Sequence, residues 1–199
     1  MNFYQIVELI LVAVFCIAYL SKMFSQKKQG IQTTQLGKKS SSKQTKDKKT
    51  LQVEKFVSLM SCVIIIAISV SVFTDWCYIK NDVLRTAGLV VTALGCLTFI
   101  MGMVTLSDSW RAGIPAEDKT KFVHTGIYKI SRNPAFLGFD MLYIGTAIVF
   151  SNILLTVAVI LAIISLHMLI IEEERFLSKR FGNEYLEYKK SVARYILIF

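Results

Sequence analysis

Metal-binding side chains are scarce and scattered in this sequence. Its two histidines, His124 and His167, lie far apart, and its four cysteines form no Cys-x-x-Cys pair. A structural zinc site needs four Cys or His ligands at suitable spacing, so we predict no metal. Three cysteines lie within apolar runs and the fourth near a helix end, which favours small buried apolar residues. They are Cys16, Cys62, Cys96 and Cys77.

Acidic residues are also few, with 14 Asp+Glu against 23 Lys+Arg, and residues 22–55 contain almost none. This lysine-rich segment has no aromatic residue between positions 25 and 55 that could stack on nucleic-acid bases. We therefore expect no nucleic-acid partner. We interpret the segment as a flexible cytoplasmic linker attracted to anionic lipid headgroups, each Lys contributing about 1 kcal/mol near the surface. Binding of an anionic partner is the alternative.

Long apolar runs dominate what is present, since 54% of the residues are hydrophobic. The runs are residues 3–20, 56–73, 87–106, 135–150 and 153–171. A helix of about 20 residues crosses the hydrocarbon core of a bilayer, so four of the five runs can cross alone. The run at residues 135–150 is slightly short. We predict an all-α polytopic membrane protein with about five transmembrane helices. The first run lacks a basic n-region and a cleavage site, so we interpret it as a retained helix rather than a signal peptide.

Positive charge predicts the orientation. Ten Lys fall in residues 21–55, five Lys+Arg in 107–134 and six in 172–199, whereas the opposite loops hold only Lys80 and Arg85. With five spans, the three basic segments fall on one side, which the positive-inside rule makes cytoplasmic, with the N-terminus outside. The predicted organisation is a first helix at 1–21, a basic linker at 22–55, two helices within 56–106 and a catalytic region with a cytoplasmic tail at 107–199.

Three glycines recur every seven residues in the third run, at Gly88, Gly95 and Gly102. This spacing places them along one side of a helix, and small residues let membrane helices approach closely. We predict a helix–helix seam there, with a substrate groove as the alternative.

Residues that could bind a ligand or take part in a reaction concentrate after Ser107. Trp110 and Arg111 follow the third run, the first as an interfacial anchor and the second as a positive-inside charge or an anion ligand. Asn133 before Pro134 predicts a helix start with Asn133 as N-cap. The N–H groups of that first turn, together with Arg132, would hold a carboxylate or phosphate.

The fifth run returns to the same side and ends at Glu172, Glu173 and Glu174. Acidic residues opposite an arginine and a helix N-terminus make a bipolar pocket, suited to a sulfonium, ammonium and carboxylate on one molecule. Because successive residues on a helix point about 100° apart, at most one or two of these glutamates can face inward. Beyond them an apolar stripe predicts an amphipathic interfacial helix over the pocket, with Gly182 as a break or cap. Its members are Phe176, Leu177, Phe181, Tyr185 and Tyr188.

Residues 109–194 resemble the isoprenylcysteine carboxyl methyltransferase family, which shares its catalytic region with the phospholipid N-methyltransferases. The resemblance rests on Ser-Trp-Arg-x-Gly-Ile at 109–114, Gly-x-Tyr-x-x-x-Arg-x-Pro at 126–134, and the Glu173-Glu174 pair followed by Phe181-Gly182 and Arg194. It implies binding of S-adenosylmethionine near the cytoplasmic face and a lipophilic small-molecule or lipid substrate that enters from the bilayer. It says nothing of the oligomeric state.

By that resemblance we assign a set of residues to cofactor binding. They are His124, Thr125, Gly126, Tyr128, Arg132, Asn133, Pro134, Phe136, Gly138, Glu173 and Glu174. The sequence departs from the family at Asn133, where the family has His, and at Phe136, where it has Tyr. Because an asparagine amide cannot carry a proton, a mechanism that needs that His as acid or base is not supported.

Methyl transfer from a sulfonium needs alignment and exclusion of water more than acid–base help. We predict carboxyl O-methylation, with Arg111 or Arg194 holding the acceptor and Glu174 as a further catalytic candidate. The alternatives are N- or S-methylation, where a glutamate would accept the proton, an NADPH-dependent membrane reductase, and a non-catalytic membrane scaffold. The acidic cluster argues against the phosphates of NADPH. Asp140 and His167 are ionisable residues within apolar runs, so each is either a structural hydrogen-bonding group or a functional one.

Overall fold

The computed structural model describes residues 1–37, 46–114 and 121–196, and these residues are helical with a single isolated β-bridge between Thr34 and Ala112. The helices are α1 (Phe3–Lys28), α2 (Lys48–Thr74), α3 (Asp82–Leu106), α4 (Pro134–Phe150), α5 (Ile153–Phe181) and α6 (Asn183–Ser191). Two short 3₁₀ turns, Ser107–Ser109 and Gly126–Lys129, lie between α3 and α4. The predicted all-α class is confirmed.

Four of these helices, α1, α2, α3 and α5, are long and apolar enough to cross a membrane. Large apolar side chains such as Ile65, Ile66 and Val104 remain exposed on their outer faces, as expected for surfaces that contact lipid. The chain is therefore an integral membrane protein. Helix α4 has 17 residues and is shorter than a standard span, so the structure supports four long spans and does not by itself establish the predicted five.

The helix ends meet in two groups, which shows that successive helices alternate in direction. At the end that we call the closed end, Asn2 bonds Asp75 and Asn152 bonds the Trp76 carbonyl. At the other, which we call the pocket end, the segment after α1 contacts the segment after α3, and α2 contacts α5. The three basic segments consequently share the pocket end, as far as their residues are described.

The predicted glycine seam is confirmed, and its partner is α4. A Cβ atom added at Gly95 would lie 2.8 Å from the carbonyl oxygen of Gly138, and one added at Gly138 would lie 2.5 Å from the backbone nitrogen of Phe99. Gly88 faces Gly145 in the same way. Backbone thus touches backbone along the seam, which leaves no room for a groove and makes Gly138 a packing residue.

The helix boundaries differ from the predicted ones around the basic linker. Helix α1 continues to Lys28 and α2 begins at Lys48, so both reach into the segment that we predicted to be a flexible linker. Lysine and glutamine are good helix formers, and the apolar core of each helix supports its polar extension. The central part of the predicted linker, residues 38–45, lies outside the described residues, as do residues 115–120 and 197–199.

Candidate active site

A cavity of about 140 Å³ lies at the pocket end, enclosed by the segment after α3, the start of α4, the end of α5 and helix α6. Six of the residues assigned from the sequence line it: Arg111, Tyr128, Arg132, Asn133, Phe136 and Glu173. The other assigned residues are not part of its lining; they are His124, Thr125, Gly126, Pro134, Gly138, Glu174 and Arg194. The cavity therefore brings together six assigned residues that are up to 62 positions apart in the chain.

The three consecutive glutamates on α5 point to three different surroundings. Glu172 turns to α2, where it accepts a hydrogen bond from Thr50 and pairs with Arg175. Glu174 turns to the C-terminal segment. Glu173 lines the cavity, and within the described residues its carboxylate accepts no hydrogen bond and forms no ion pair. Only one of the three faces inward, as helix geometry requires.

Arg132, which lines the cavity, forms a buried ion pair with Glu174, and the two side chains are 1% and 4% exposed. The Arg132 guanidinium also donates to the carbonyl oxygens of Lys189 and Val192, and Arg194 bonds both oxygens of Glu174. Most of the Arg132 donors are thus engaged in attaching the C-terminal segment to α4 and α5. We predicted Arg132 to hold a ligand anion, whereas its geometry here is mainly that of a structural clamp.

Asn133 occupies the N-cap position of α4, followed by Pro134 at the first helical position, but its side chain does not cap the helix. The amide nitrogen Nδ2 instead donates to the carbonyl oxygen of Arg194, 3.2 Å away. Ser131 accepts from the Asn133 backbone N–H and donates to the same Arg194 carbonyl. The predicted side-chain cap is therefore wrong, because the bond from Nδ2 to the Arg194 carbonyl orients the amide toward the C-terminal segment.

Aromatic side chains form the cavity wall on the α6 side. The Phe122 ring lies 5.2 Å from Phe181, 5.9 Å from Tyr185 and 5.3 Å from Tyr188, measured between centroids. Burial raises the pKa of Tyr188 well above its usual range. Its hydroxyl therefore stays protonated and donates to the Tyr128 carbonyl oxygen at 2.6 Å.

This wall confirms that the apolar stripe covers the pocket. The stripe is divided between the end of α5 and α6 by Gly182, which has a φ of +56°. The sequence analysis missed Phe122; its signal was the apolar pair Phe122-Val123 directly after the polar residues 117–121. His124 packs beside the wall, 5.3 Å from the Phe122 ring.

The two ionisable residues of the apolar runs lie outside the cavity lining. His167 contacts Tyr195 through a 3.0 Å hydrogen bond, with the rings stacked. Asp140 is buried, and its Oδ1 has no hydrogen-bond partner within the described residues. His167 thus has a structural contact that attaches the C-terminal segment to α5.

Four of the helices are apolar and long enough to cross a membrane, and an aromatic-lined cavity with an inward carboxylate lies at one end of them. The class is therefore a helical membrane protein with a cavity at one end of its bundle. Residues 83–184 match the phospholipid methyltransferase family, and the chain belongs to that family. The match covers α3, α4 and α5 and confirms the resemblance seen in the sequence.

Two curated relatives sharpen the comparison. The chain is 34% identical over 108 residues to the probable protein-S-isoprenylcysteine O-methyltransferase of Oryza sativa subsp. indica, covering 53% of this chain and 56% of that protein. It is 33% identical over 112 residues to the protein-S-isoprenylcysteine O-methyltransferase of Saccharomyces cerevisiae, covering 51% and 47%. The chain thus spans about half the length of the curated relatives it matches.

Proposed function

We propose that this protein is a membrane-embedded methyltransferase that uses S-adenosylmethionine to methylate the carboxylate of a lipophilic acceptor. The observation that carries the proposal is the Glu173 carboxylate, which faces an aromatic-lined cavity at the pocket end and has no partner among the described residues. The family and the names of the two relatives support the reaction class.

The cavity fits the chemistry of this donor. Glu173 offers a negative charge for the ammonium or sulfonium group, and the rings of Phe122, Tyr185 and Tyr188 offer a surface for a purine. Together with the family match, these features favour methyl transfer over NADPH-dependent reduction.

S-adenosylmethionine, when bound, supplies a methyl group on a positively charged sulfur, which a carboxylate oxygen attacks without help from a base. The chain's own residues then have three tasks. Glu173 binds the cationic part of the donor, the aromatic wall excludes water, and Arg111, which lines the cavity, holds the acceptor carboxylate. Arg194, the other predicted anchor, bonds Glu174, so we assign it to holding the C-terminal segment.

Methylation of a nitrogen is the second candidate, favoured by the phospholipid methyltransferase family match. A protonated amine must lose a proton before or during the transfer, and Glu173 is the carboxylate within the cavity that can accept it. The two candidates use the same donor site and differ in the acceptor.

Orientation is part of the same proposal. We infer that the pocket end is cytoplasmic and the N-terminus is outside, because the basic segments meet there. Arg85 at the closed end does not disturb this pattern, since it pairs with Asp75 at 2.5 Å. Reporters inserted near residue 40 and fused after Phe199 should both be cytoplasmic, and a reporter on opposite sides would contradict the orientation.

The decisive experiment combines calorimetry with radiolabelled methyl transfer on the protein purified in detergent. S-adenosylmethionine should bind and NADPH should not. Labelled methyl should pass to a prenylated cysteine with a free carboxylate, and alkali should release it as methanol because esters are base-labile. Alkali-stable label on phosphatidylethanolamine would favour N-methylation instead. Binding of NADPH alone would contradict the methyltransferase proposal.

A further inference from the structure

One wall of the cavity is formed by residues 110–114, directly after the 3₁₀ turn that ends α3. Trp110, Arg111, Gly113 and Ile114 all contribute to the cavity surface. This short segment has no regular secondary structure of its own beyond the isolated bridge at Ala112. Its conformation must therefore come from contacts with other parts of the chain.

The segment that follows α1 supplies the first set of contacts. Residues 33–37, which we call the N-terminal strap, run parallel to it and form backbone hydrogen bonds in both directions. Gln35 donates to the Ala112 carbonyl at 2.8 Å, and Ala112 donates to the Thr33 carbonyl at 3.0 Å. Gly113, with a φ of +92°, allows this approach, because a Cβ atom there would lie 2.8 Å from the Leu36 nitrogen.

Gln26 at the end of α1 supplies a second contact. Its side chain is fully buried, and its Nε2 donates to the Trp110 carbonyl oxygen at 3.1 Å. Thr33 donates to the Oε1 of the same amide at 2.7 Å, which sets the amide so that its nitrogen faces Trp110. The strap and the wall are thus connected through one side chain.

Glu54 on α2 joins both segments at their far ends. Its Oε1 accepts from the Ile114 N–H at 3.0 Å and its Oε2 accepts from the Gly37 N–H at 3.1 Å. The side chain is fully buried and is neutralised by Lys46, whose Nζ lies 2.8 Å away and also donates to the Gln35 carbonyl. A buried carboxylate that accepts bonds from three donors fixes the position of each donor.

All of these holding residues precede residue 83, where the family match begins. We propose that Glu54 and Gln26 are positioning residues that hold the wall at residues 110–114 in the form that the methyl donor requires. The N-terminal helices, which the family match does not include, thereby set the affinity for the donor. This inference rests on the proposed function and assigns a role to a region that the sequence left without one.

The test uses Glu54→Gln, in which one donor-facing oxygen becomes an NH₂ group and Lys46 loses its counter-charge. The dissociation constant and KM for S-adenosylmethionine should rise at least about tenfold while kcat changes much less, since the reacting groups are untouched. The double variant Glu54→Gln/Lys46→Met removes the unpaired charge. It should recover melting temperature without recovering donor affinity, which separates positioning from stability.

Glu172→Gln is the matched control. Glu172 is an equally buried acid that links α2 to α5 through Thr50 but does not contact the wall. Its loss should lower the melting temperature and leave donor affinity unchanged. The proposal is overturned if the double variant binds S-adenosylmethionine as the wild type does, or if Glu172→Gln weakens binding to the same extent.

A ligand-independent measurement separates this inference from the proposed function. In a Trp76→Phe background Trp110 is the sole tryptophan, and it is 4% exposed. Glu54→Gln should make its fluorescence markedly more accessible to acrylamide, whereas Glu172→Gln should not. If the wild type fails to bind S-adenosylmethionine, the proposed function fails and this measurement alone decides the positioning. Unchanged quenching in Glu54→Gln would refute it.

Discussion

The two ends of the helical bundle treat their charges differently. At the closed end Asp75 is neutralised by Arg85 and also accepts from Asn2, so a buried charge meets its partner locally. At the pocket end Glu54, Glu172 and Glu174 are each paired in the same way. Among the described residues that line the cavity, Glu173 is the one carboxylate, and no described residue pairs with it.

This difference separates charges that stabilise the fold from a charge available to a ligand. A cavity-lining carboxylate without a partner among the described residues agrees with the proposal that Glu173 contacts a bound ligand. The pairs around it hold the surrounding segments in place. The described acids of the pocket end thus include a cavity-facing Glu173 without a partner, whereas Asp75 at the closed end is paired with Arg85.

The largest effect on both ends of the bundle is expected from separating α3 from α4, because their seam runs from one end to the other. Gly138→Leu should cost more than about 4 kcal/mol of stability, since its side chain would displace the backbone of Phe99. Thermal unfolding in detergent should show both ends lost together. Leu97→Phe, on the exposed face of α3, is the control and should melt as the wild type does. A stable Gly138→Leu protein would show that the seam can open.

The second test removes the buried arginine at each end. Arg85→Ala removes the ion-pair partner of the half-buried Asp75. Arg132→Ala leaves Glu174 paired with Arg194 but removes the guanidinium bonds to Glu174, Lys189 and Val192. Each variant should lose about 1–3 kcal/mol of stability. Melting temperatures should fall for both. Donor binding measured well below the melting temperature should fall only for Arg132→Ala, because only that side chain lines the cavity. Equal loss of binding in both would mean that the ends are not independent.

The third test compares adjacent glutamates. Glu173→Gln should weaken S-adenosylmethionine binding by about 1–3 kcal/mol with little change in melting temperature, because its charge has no protein partner to lose. Glu174→Gln should lower the melting temperature and change donor binding little, since it breaks the pairs with Arg132 and Arg194. Calorimetry and thermal unfolding of both variants decide the matter. If Glu173→Gln binds the donor normally, the Glu173 carboxylate is not part of the donor site.

The smallest expected effect concerns Asn133. In Asn133→Asp the amide donor to the Arg194 carbonyl is replaced by a carboxylate oxygen, so the C-terminal segment should be held less firmly by about 1 kcal/mol. Asn133→His keeps a ring N–H that can donate and should be milder. Hydrogen exchange of residues 192–196 measures the loosening. Unchanged exchange in the Asp variant would mean that this bond contributes nothing.

Sequence reasoning succeeded where the determining contacts are local or periodic. The spacing of Gly88, Gly95 and Gly102 predicted a seam, and the 100° rotation per residue predicted that few of the three glutamates face inward. It failed at contacts between distant segments. The partner of the Asn133 amide is 61 residues away, and the two segments joined by Glu54 are separated by the whole of α2 and α3.

The same limit explains why residues 22–55 were predicted to be a flexible linker. Its lysines and serines indicated a solvated chain, and no local pattern showed that Gln26, Thr33 and Glu54 would pair with backbone groups after α3. Such contacts depend on which ends of the bundle meet, and that depends on the packing of all the helices. The sequence limited the inward carboxylate to one or two of three consecutive glutamates, but it did not predict the contacts that hold the cavity wall at residues 110–114.

Helix α5 runs unbroken from Ile153 to Phe181 and carries Glu173 near its end. The distance from Ile153 to Glu173 along this rod is about 30 Å at 1.5 Å per residue, which matches the hydrocarbon thickness of a bilayer. A rigid rod of fixed length makes the height of the carboxylate depend on the membrane around it. A thicker bilayer draws Glu173 toward the acyl chains and a thinner one lifts it into the headgroups, unless the helix tilts. Membrane thickness therefore sets the depth at which the Glu173 carboxylate and the cavity lie in the bilayer.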